Sequence, residues 1–326
     1  MHPALRPAPR PRPARPGGRA ATVVGAAVLA AALLAGCAGG PALPSLPALP
    51  ALPHLPLINP APVVPPDPVV LGAETHGARW FFPDTEARAL VLLQPELGRP
   101  CERLRALSQA WQAQGLAVMC LELPVPPTGS GVQREAQQYR VADALGVALA
   151  GGLTGPGGRA LPARLVVAGH GLGGAFAARL AARLDTTAPQ RLAGVLLLDP
   201  LAAPGFSDHL RVVSRRGQRP VLALMAERSD CNARHSALPA LQQLRREAAA
   251  DGQPAYMGLL FGEGSTHLDA EGHQPDVPGH LACGRPQDAP VARLQALAVQ
   301  AATAMAAGER PQPPVGEAAA GLQVLN

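Results

Sequence analysis

Residues 165–184 read LVVAGHGLGGAFAARLAARL. An apolar strand runs into a cluster of glycines, and a helix-forming stretch of alanine, leucine and arginine follows at once. A buried strand that turns directly into a helix commits a chain to crossover connections, and so to parallel pairing in a layered α/β fold. The alternation recurs on both sides. Strands are predicted over 89–94, 116–121, 194–198, 221–226 and 257–261, with helices over 101–115, 133–150, 236–250 and 289–306. The expected architecture is a mostly parallel central sheet with helices on both faces, in one domain over residues 71–306. The tail, 307–326, reads as disordered.

What precedes the domain is of a different kind. Residues 1–20 carry Arg6, Arg10, Arg12, Arg15 and Arg19 and no acid, and an apolar run from Ala21 to Leu34 ends in Leu34-Ala35-Gly36-Cys37. A basic stretch, a short apolar core and small residues before a cut describe a signal peptide, here 1–36. The cysteine at the cut resembles the bacterial lipobox, which implies a lipid on Cys37, a membrane partner through it and a place in the cell envelope. Ala38 after it favours the outer membrane by the same resemblance. The competing reading is an ordinary signal sequence with a stray cysteine. The formal charge of +5 equals those five arginines, so the remainder is near neutral and nothing calls for nucleic acid. Residues 37–70 form a linker in which ALPSLPALPALPHLP repeats Leu-Pro every three residues, the period of a polyproline II spacer.

Beyond Cys37 there are four cysteines, Cys101, Cys120, Cys231 and Cys283. An even number in an exported chain suggests two disulfides. The short separations favour Cys101 with Cys120 and Cys231 with Cys283, against buried free thiols as the alternative. None has zinc or redox spacing, and no metal or cofactor is expected.

The glycine cluster fits two chemistries. Gly169-x-Gly171-x-x-Gly174 has the spacing of a dinucleotide cradle, with Asp199 ending the next strand where a ribose-binding acid would lie. Gly169 and Gly173 equally match the outer glycines of a G-x-S-x-G nucleophile elbow, with Gly171 where the serine belongs. The gap from Gly174 to Asp199 is long for the first reading, and two strand–helix units precede the cluster. The second reading also explains the chain order of elbow, acid after a strand, and histidine after the last strand.

On VVAGHGLGGAFAARLA, GVLLLDP and GSTHLDAEG the chain resembles the α/β-hydrolase superfamily, nearest to its chlorophyllase, dienelactone hydrolase and platelet-activating-factor acetylhydrolase group. The resemblance covers about residues 75–306. It implies an α/β-hydrolase fold, Asp199 as the orienting acid, His267 as general base and the Leu172 N–H as one oxyanion donor. A second donor would come from the QPELGRP loop, near Glu96 or Leu97, which lacks the usual His-Gly pattern. It also implies a small acyl or ester ligand. Asp230 is a rival acid, and Asp199 could instead be a cap or turn residue. His170 reads as a packed neighbour of the elbow.

The departure at Gly171 decides the chemistry. Losing the nucleophile costs a serine protease about 10⁶ in turnover, while glycine adopts the strained elbow backbone freely. The expected product is a fold that keeps its turn and loses its activity, a pseudoenzyme or binding protein. Active alternatives would use Ser265, Ser229, Ser236 or a water activated by His267.

Overall fold

The computed structural model describes residues 65–123, 131–274 and 276–325. The expected signal peptide, Cys37 lipidation and most of the Leu-Pro linker lie outside the described residues. Strands β1 (Asp67–Leu71) and β2 (Glu74–Phe81) form a hairpin through Gly72. Next come β3 (Leu90–Gln94), α1 (Arg105–Ala113), β4 (Ala117–Glu122), α2 (Gly131–Ala150) and β5 (Leu165–His170). The chain continues through α3 (Gly173–Thr187), β6 (Leu192–Leu198), α4 (Phe206–Ser214), β7 (Val221–Met225), α5 (Leu238–Ala250) and β8 (Gly258–Phe261). It closes with α6 (Val277–Cys283), α7 (Asp288–Ala307) and β9 (Leu322–Val324).

Among the described residues the sheet order is β1-β2-β4-β3-β5-β6-β7-β8-β9. From β4 to β8 every neighbour pair is parallel, while β1, β2 and β9 pair antiparallel at the two ends. This is the α/β-hydrolase fold, a mostly parallel central sheet covered by helices on both faces.

The central strands carry near-continuous apolar runs because both faces are covered, and the period of two sorts them. Leu90, Leu92, Met119 and Val167 pack on one face with apolar residues of α2, α3, α4 and α5. Val91, Leu93, Val118 and Val166 pack on the other with α1 and α7. There the Trp111 indole N–H donates to the Ala298 carbonyl at 3.1 Å, so the largest side chain of that layer is buried without an orphaned donor. Among the described residues no helix is long and apolar enough to cross a membrane.

Both expected disulfides are present. Cys101–Cys120 pins the turn before α1 to β4, and Cys231–Cys283 joins the loop after β7 to the end of α6.

The structure corrects the expected boundaries at both ends. β1 begins at Asp67, inside the stretch read as linker, and β2 was not anticipated. Their short runs mix buried and exposed positions without matching residue type, with Val70 exposed between Val69 and Leu71 and His76 buried, a weaker signal than the solid apolar runs of the centre. The tail read as disordered instead carries β9, which pairs with β8 through Leu259↔Val324 and Phe261↔Leu322, and Leu325 is buried. Three residues hold too little pattern to be read as a strand. What orders them is the open edge of β8, which the local sequence does not contain.

Candidate active site

The elbow is built by glycines that let three backbone segments approach. A Cβ on Gly169 would stand 2.1 Å from the Gly173 carbonyl oxygen, and one on Gly173 would stand 2.3 Å from that of Gln94. A Cβ on Gly174 would lie 2.9 Å from the Pro200 side chain. These glycines thus let β5 and α3 pack closely on the ends of β3 and β6. Gly171 lies at φ +56°, in the left-handed region, at the apex. Its N–H donates to the Leu198 carbonyl, and its carbonyl accepts from Gly174 and Leu201.

The other two positions named from chain order meet at this apex. Asp199, at the end of β6, sits at φ +40°, and its Oδ1 accepts from the Ala226 N–H at 3.0 Å. Its Oδ2 lies 2.7 Å from His267 Nδ1. Asn232 donates its side-chain amide to both Asp199 oxygens, at 3.3 and 3.2 Å, and so fixes the carboxylate's plane. His267 opens a short 3₁₀ turn held by a reciprocal capping pair between Thr266 and Asp269. His170 is fully buried and stacks on the His267 ring at a centroid distance of 4.6 Å. Its Nε2–H donates to the His267 carbonyl at 2.8 Å. Burial first, then the neighbouring His267 charge, holds the His170 pKa below its ordinary value, so His170 is a neutral packing partner.

The side chain that sequence reasoning missed is Glu96. Its Oε2 accepts from the Leu172 N–H at 3.0 Å, and its Oε1 accepts from the Leu97 N–H at 3.1 Å. The resemblance implies Leu172 as one oxyanion donor and places a second near Glu96 or Leu97, and this one carboxylate takes the N–H groups of both Leu172 and Leu97. Oε2 also lies 3.2 Å from His267 Nε2. A Cβ built on Gly171 would be 1.5 Å from that same oxygen. The Glu96 carboxylate therefore fills the space that any side chain at 171 would enter.

The proton count follows from the contacts. His267 faces a carboxylate oxygen at each ring nitrogen, and a carboxylate only accepts, so both nitrogens carry hydrogen. Burial disfavours that charge, but the hydrogen bonds to Asp199 and Glu96 and their negative charges outweigh it, raising the His267 pKa to about 9. Glu96 is the mirror case. Burial raises it most, yet the bond to His267, the nearby histidines and the Leu172 N–H together hold it below the ordinary carboxylate range. At neutral pH the pair is an imidazolium and a carboxylate. An imidazolium has no lone pair with which to accept a proton.

The loop carrying Glu96 is anchored to the histidine loop. Arg99 pairs with Glu271 and, at 2.5 Å, with Asp276, and Arg103 approaches Asp276 at 3.4 Å. The Glu271 carboxylate lies 3.7 Å from His170 Nδ1.

The remaining candidates fall elsewhere. Asp230 is exposed and pairs with Arg234, so the His267 partner is Asp199. The Ser265 hydroxyl donates to the Gly262 carbonyl and accepts from the Glu227 N–H, which makes it a loop fastener. Ser236 Oγ accepts from the Ala202 N–H. At Gly171 a pyrophosphate would meet the Glu96 carboxylate, and close packing accounts for Gly169 and Gly174 without a cradle. Among the described residues no group of histidines, cysteines and acids could hold a metal ion. One sequence signal could have found Glu96: an acid on the loop after β3 coinciding with a missing side chain at the elbow.

No protein-family model matches the chain, and no curated protein matches it. Solved structures similar to it include a ferulic acid esterase from Streptomyces cinnamoneus, at 22% identity and a TM-score of 0.48, covering 74% of each chain. A dienelactone hydrolase from Anabaena variabilis is similar over 72% of this chain and 95% of its own, at 18% identity and a TM-score of 0.46. An esterase from Pyrobaculum calidifontis matches over 74% of this chain and 84% of its own, at 13% identity and a TM-score of 0.47.

Proposed function

We propose that this chain is an esterase-related α/β-hydrolase-fold protein without hydrolytic turnover, a pseudoenzyme whose former ester site is filled by its own Glu96. The observation that carries the reading is the 1.5 Å separation between Glu96 Oε2 and a Cβ at position 171. One carboxylate opposes three parts of acyl transfer at once. It occupies the nucleophile's place, saturates the Leu172 and Leu97 donors that would stabilise an oxyanion, and keeps His267 protonated. A water near His267 would find no base. In this reading Asp199 and Asn232 are positioning residues for His267, and the site persists as a buried charge cluster. A ligand entering it would have to supply what Glu96 supplies, so an acyl compound ending in a carboxylate fits the donor set. With the lipid on Cys37 and the proline-rich spacer, the protein would act in the envelope as a tethered binding or interaction module.

The contact between Glu96 Oε2 and His267 favours one second reading, an enzyme in which Glu96 is itself the nucleophile. The two separate in one assay. Purified full-length protein is given short p-nitrophenyl esters and a fluorophosphonate label. The pseudoenzyme neither hydrolyses above buffer nor labels. Turnover that disappears in Glu96→Gln would establish the second reading, and labelling of the wild type would sink the first.

A further inference from the structure

Strands β5, β6 and β7 run parallel, so they all start at the edge of the sheet opposite the Glu96–His267 pair. Each start is preceded by an arginine: Arg164 before Leu165, Arg191 before Leu192, and Arg219 two residues before Val221. The topology thus forces three guanidinium groups onto one rim. Arg215, at the end of α4, and Arg310, just beyond α7, complete the set. Together they line a cavity of about 410 Å³.

The charges there are poorly balanced. Asp185 serves two of them, pairing with Arg215 at 2.9 Å and with Arg219. Arg191 spends its donors on the carbonyls of Leu149, Pro162 and Ala163 and meets no carboxylate among the described residues. Arg310 donates to the carbonyls of Gly217 and Gln218. The Arg164 guanidinium has no hydrogen-bond or ion-pair partner among the described residues, and its Nη1 lies over Gly308, 2.5 Å from where a Cβ there would stand. Among the described residues the only carboxylate lining the cavity is Glu309. The C-terminal end of α7 adds roughly half a negative charge. Five cations therefore face far less than five anions in a concave, partly desolvated space, where charge acts more strongly than on open surface.

The geometry points to this cavity as a binding site for a phosphate-bearing anion, with Arg164, Arg215 and Arg310 as direct donors and Arg191 and Arg219 as fixed background charge. Arg215 spends its Nε and one Nη on Asp185, and Arg310 spends one Nη on carbonyls. The N–H groups each keeps, together with the whole Arg164 fork, come from different elements and suit a tetrahedral group whose oxygens point in several directions. A carboxylate presents two oxygens in one plane and satisfies one fork. Gln190 and Gln218 on the wall can donate to a second phosphate or a ligand hydroxyl. The site lies on the edge away from Glu96 and does not depend on the reading of the hydrolase site.

Inorganic pyrophosphate is the probe, titrated calorimetrically into the full chain. The expected result is one saturable site that weakens steeply as salt is raised. Arg164→Gln removes no bond within the protein and should weaken binding roughly ten-fold. Arg310→Gln should weaken it comparably, and Glu309→Gln should tighten it. Arg211→Gln, an exposed arginine of α4 outside the cavity, should leave it unchanged. Vesicles of phosphatidylglycerol, compared with phosphatidylcholine, identify the source. Arg164-dependent binding to the anionic vesicles without pyrophosphate binding assigns the phosphate to a lipid headgroup. No binding of either probe, or binding indifferent to Arg164 and Arg310, overturns the site.

Discussion

At the scale of the residue, Gly171 and Glu96 must be treated as a pair. Installing a serine at the elbow alone should fail: Gly171→Ser puts a Cβ within 1.5 Å of Glu96 Oε2 and adds strain of about 1–3 kcal/mol at φ +56°. The single variant is expected to lose stability in a denaturant titration and to stay unlabelled by fluorophosphonate. Gly171→Ser with Glu96→Ala frees the space, both backbone donors and the His267 lone pair together. It should label, and should hydrolyse p-nitrophenyl acetate at least about 10²-fold faster than either single variant, since each missing group is worth roughly that much or more. A second prediction concerns pH. The His267 pKa is raised from 6.5 to about 9, so the folded state binds this proton more tightly than the unfolded chain. The resulting stabilisation is complete below about pH 6.5 and is lost as pH rises through about 9. Wild-type melting temperature should therefore fall across that window. In Glu96→Gln, with one carboxylate gone, the fall should begin at lower pH, and imidazole NMR should show the lower pKa directly. Asp199 and His267 were legible in the sequence because each follows a strand in a fixed order. Glu96 was legible only as a loop position, since no local pattern says that its side chain turns back across the elbow.

Elements explain why the cluster holds its shape. The elbow tolerates no side chain at 169, where a Cβ would meet the Gly173 carbonyl at 2.1 Å. Backbone cannot step aside as a flexible side chain can, so Gly169→Ala should cost at least about 1–3 kcal/mol, read as a lower denaturation midpoint. The disulfide Cys231–Cys283 constrains the loop that carries Asn232, the residue holding Asp199. Replacing both cysteines with serine should remove about 3–5 kcal/mol by the loop-entropy relation. Faster amide exchange in 227–236 than in the sheet would show that the loss is local as well as global. The pairing was readable in the sequence because both separations are short and four cysteines beyond an expected signal peptide make an even set. The helix α6 was not, because seven residues are too few for a periodic apolar face to stand out, and α4 was missed although Phe206, Leu210 and Val213 give it one helical stripe.

For the molecule as a whole, the sheet is closed at one end by β1 and β2 and at the other by β9. A chain stopped after Gly308 would expose the edge of β8 and lose the buried Leu325 and the Arg310 bonds to 217 and 218. It should melt lower than the full chain and aggregate faster on warming, as light scattering would show. The parallel centre could be predicted from its apolar runs. The two ends could not, because an end strand is specified by the edge it meets rather than by its own residues. The mutual exclusion of a side chain at 171 and the carboxylate of Glu96 also has a historical side. Each residue removes the selective use of the other's alternative: once glycine stands at 171, an acid at 96 is free to settle over it, and once it has settled, a serine can no longer return by one substitution. Loss of the nucleophile would then be a one-way step for a lineage. Relatives that carry serine at 171 should accordingly carry at 96 a residue that cannot reach the elbow, and sequencing such relatives would read that dependence directly.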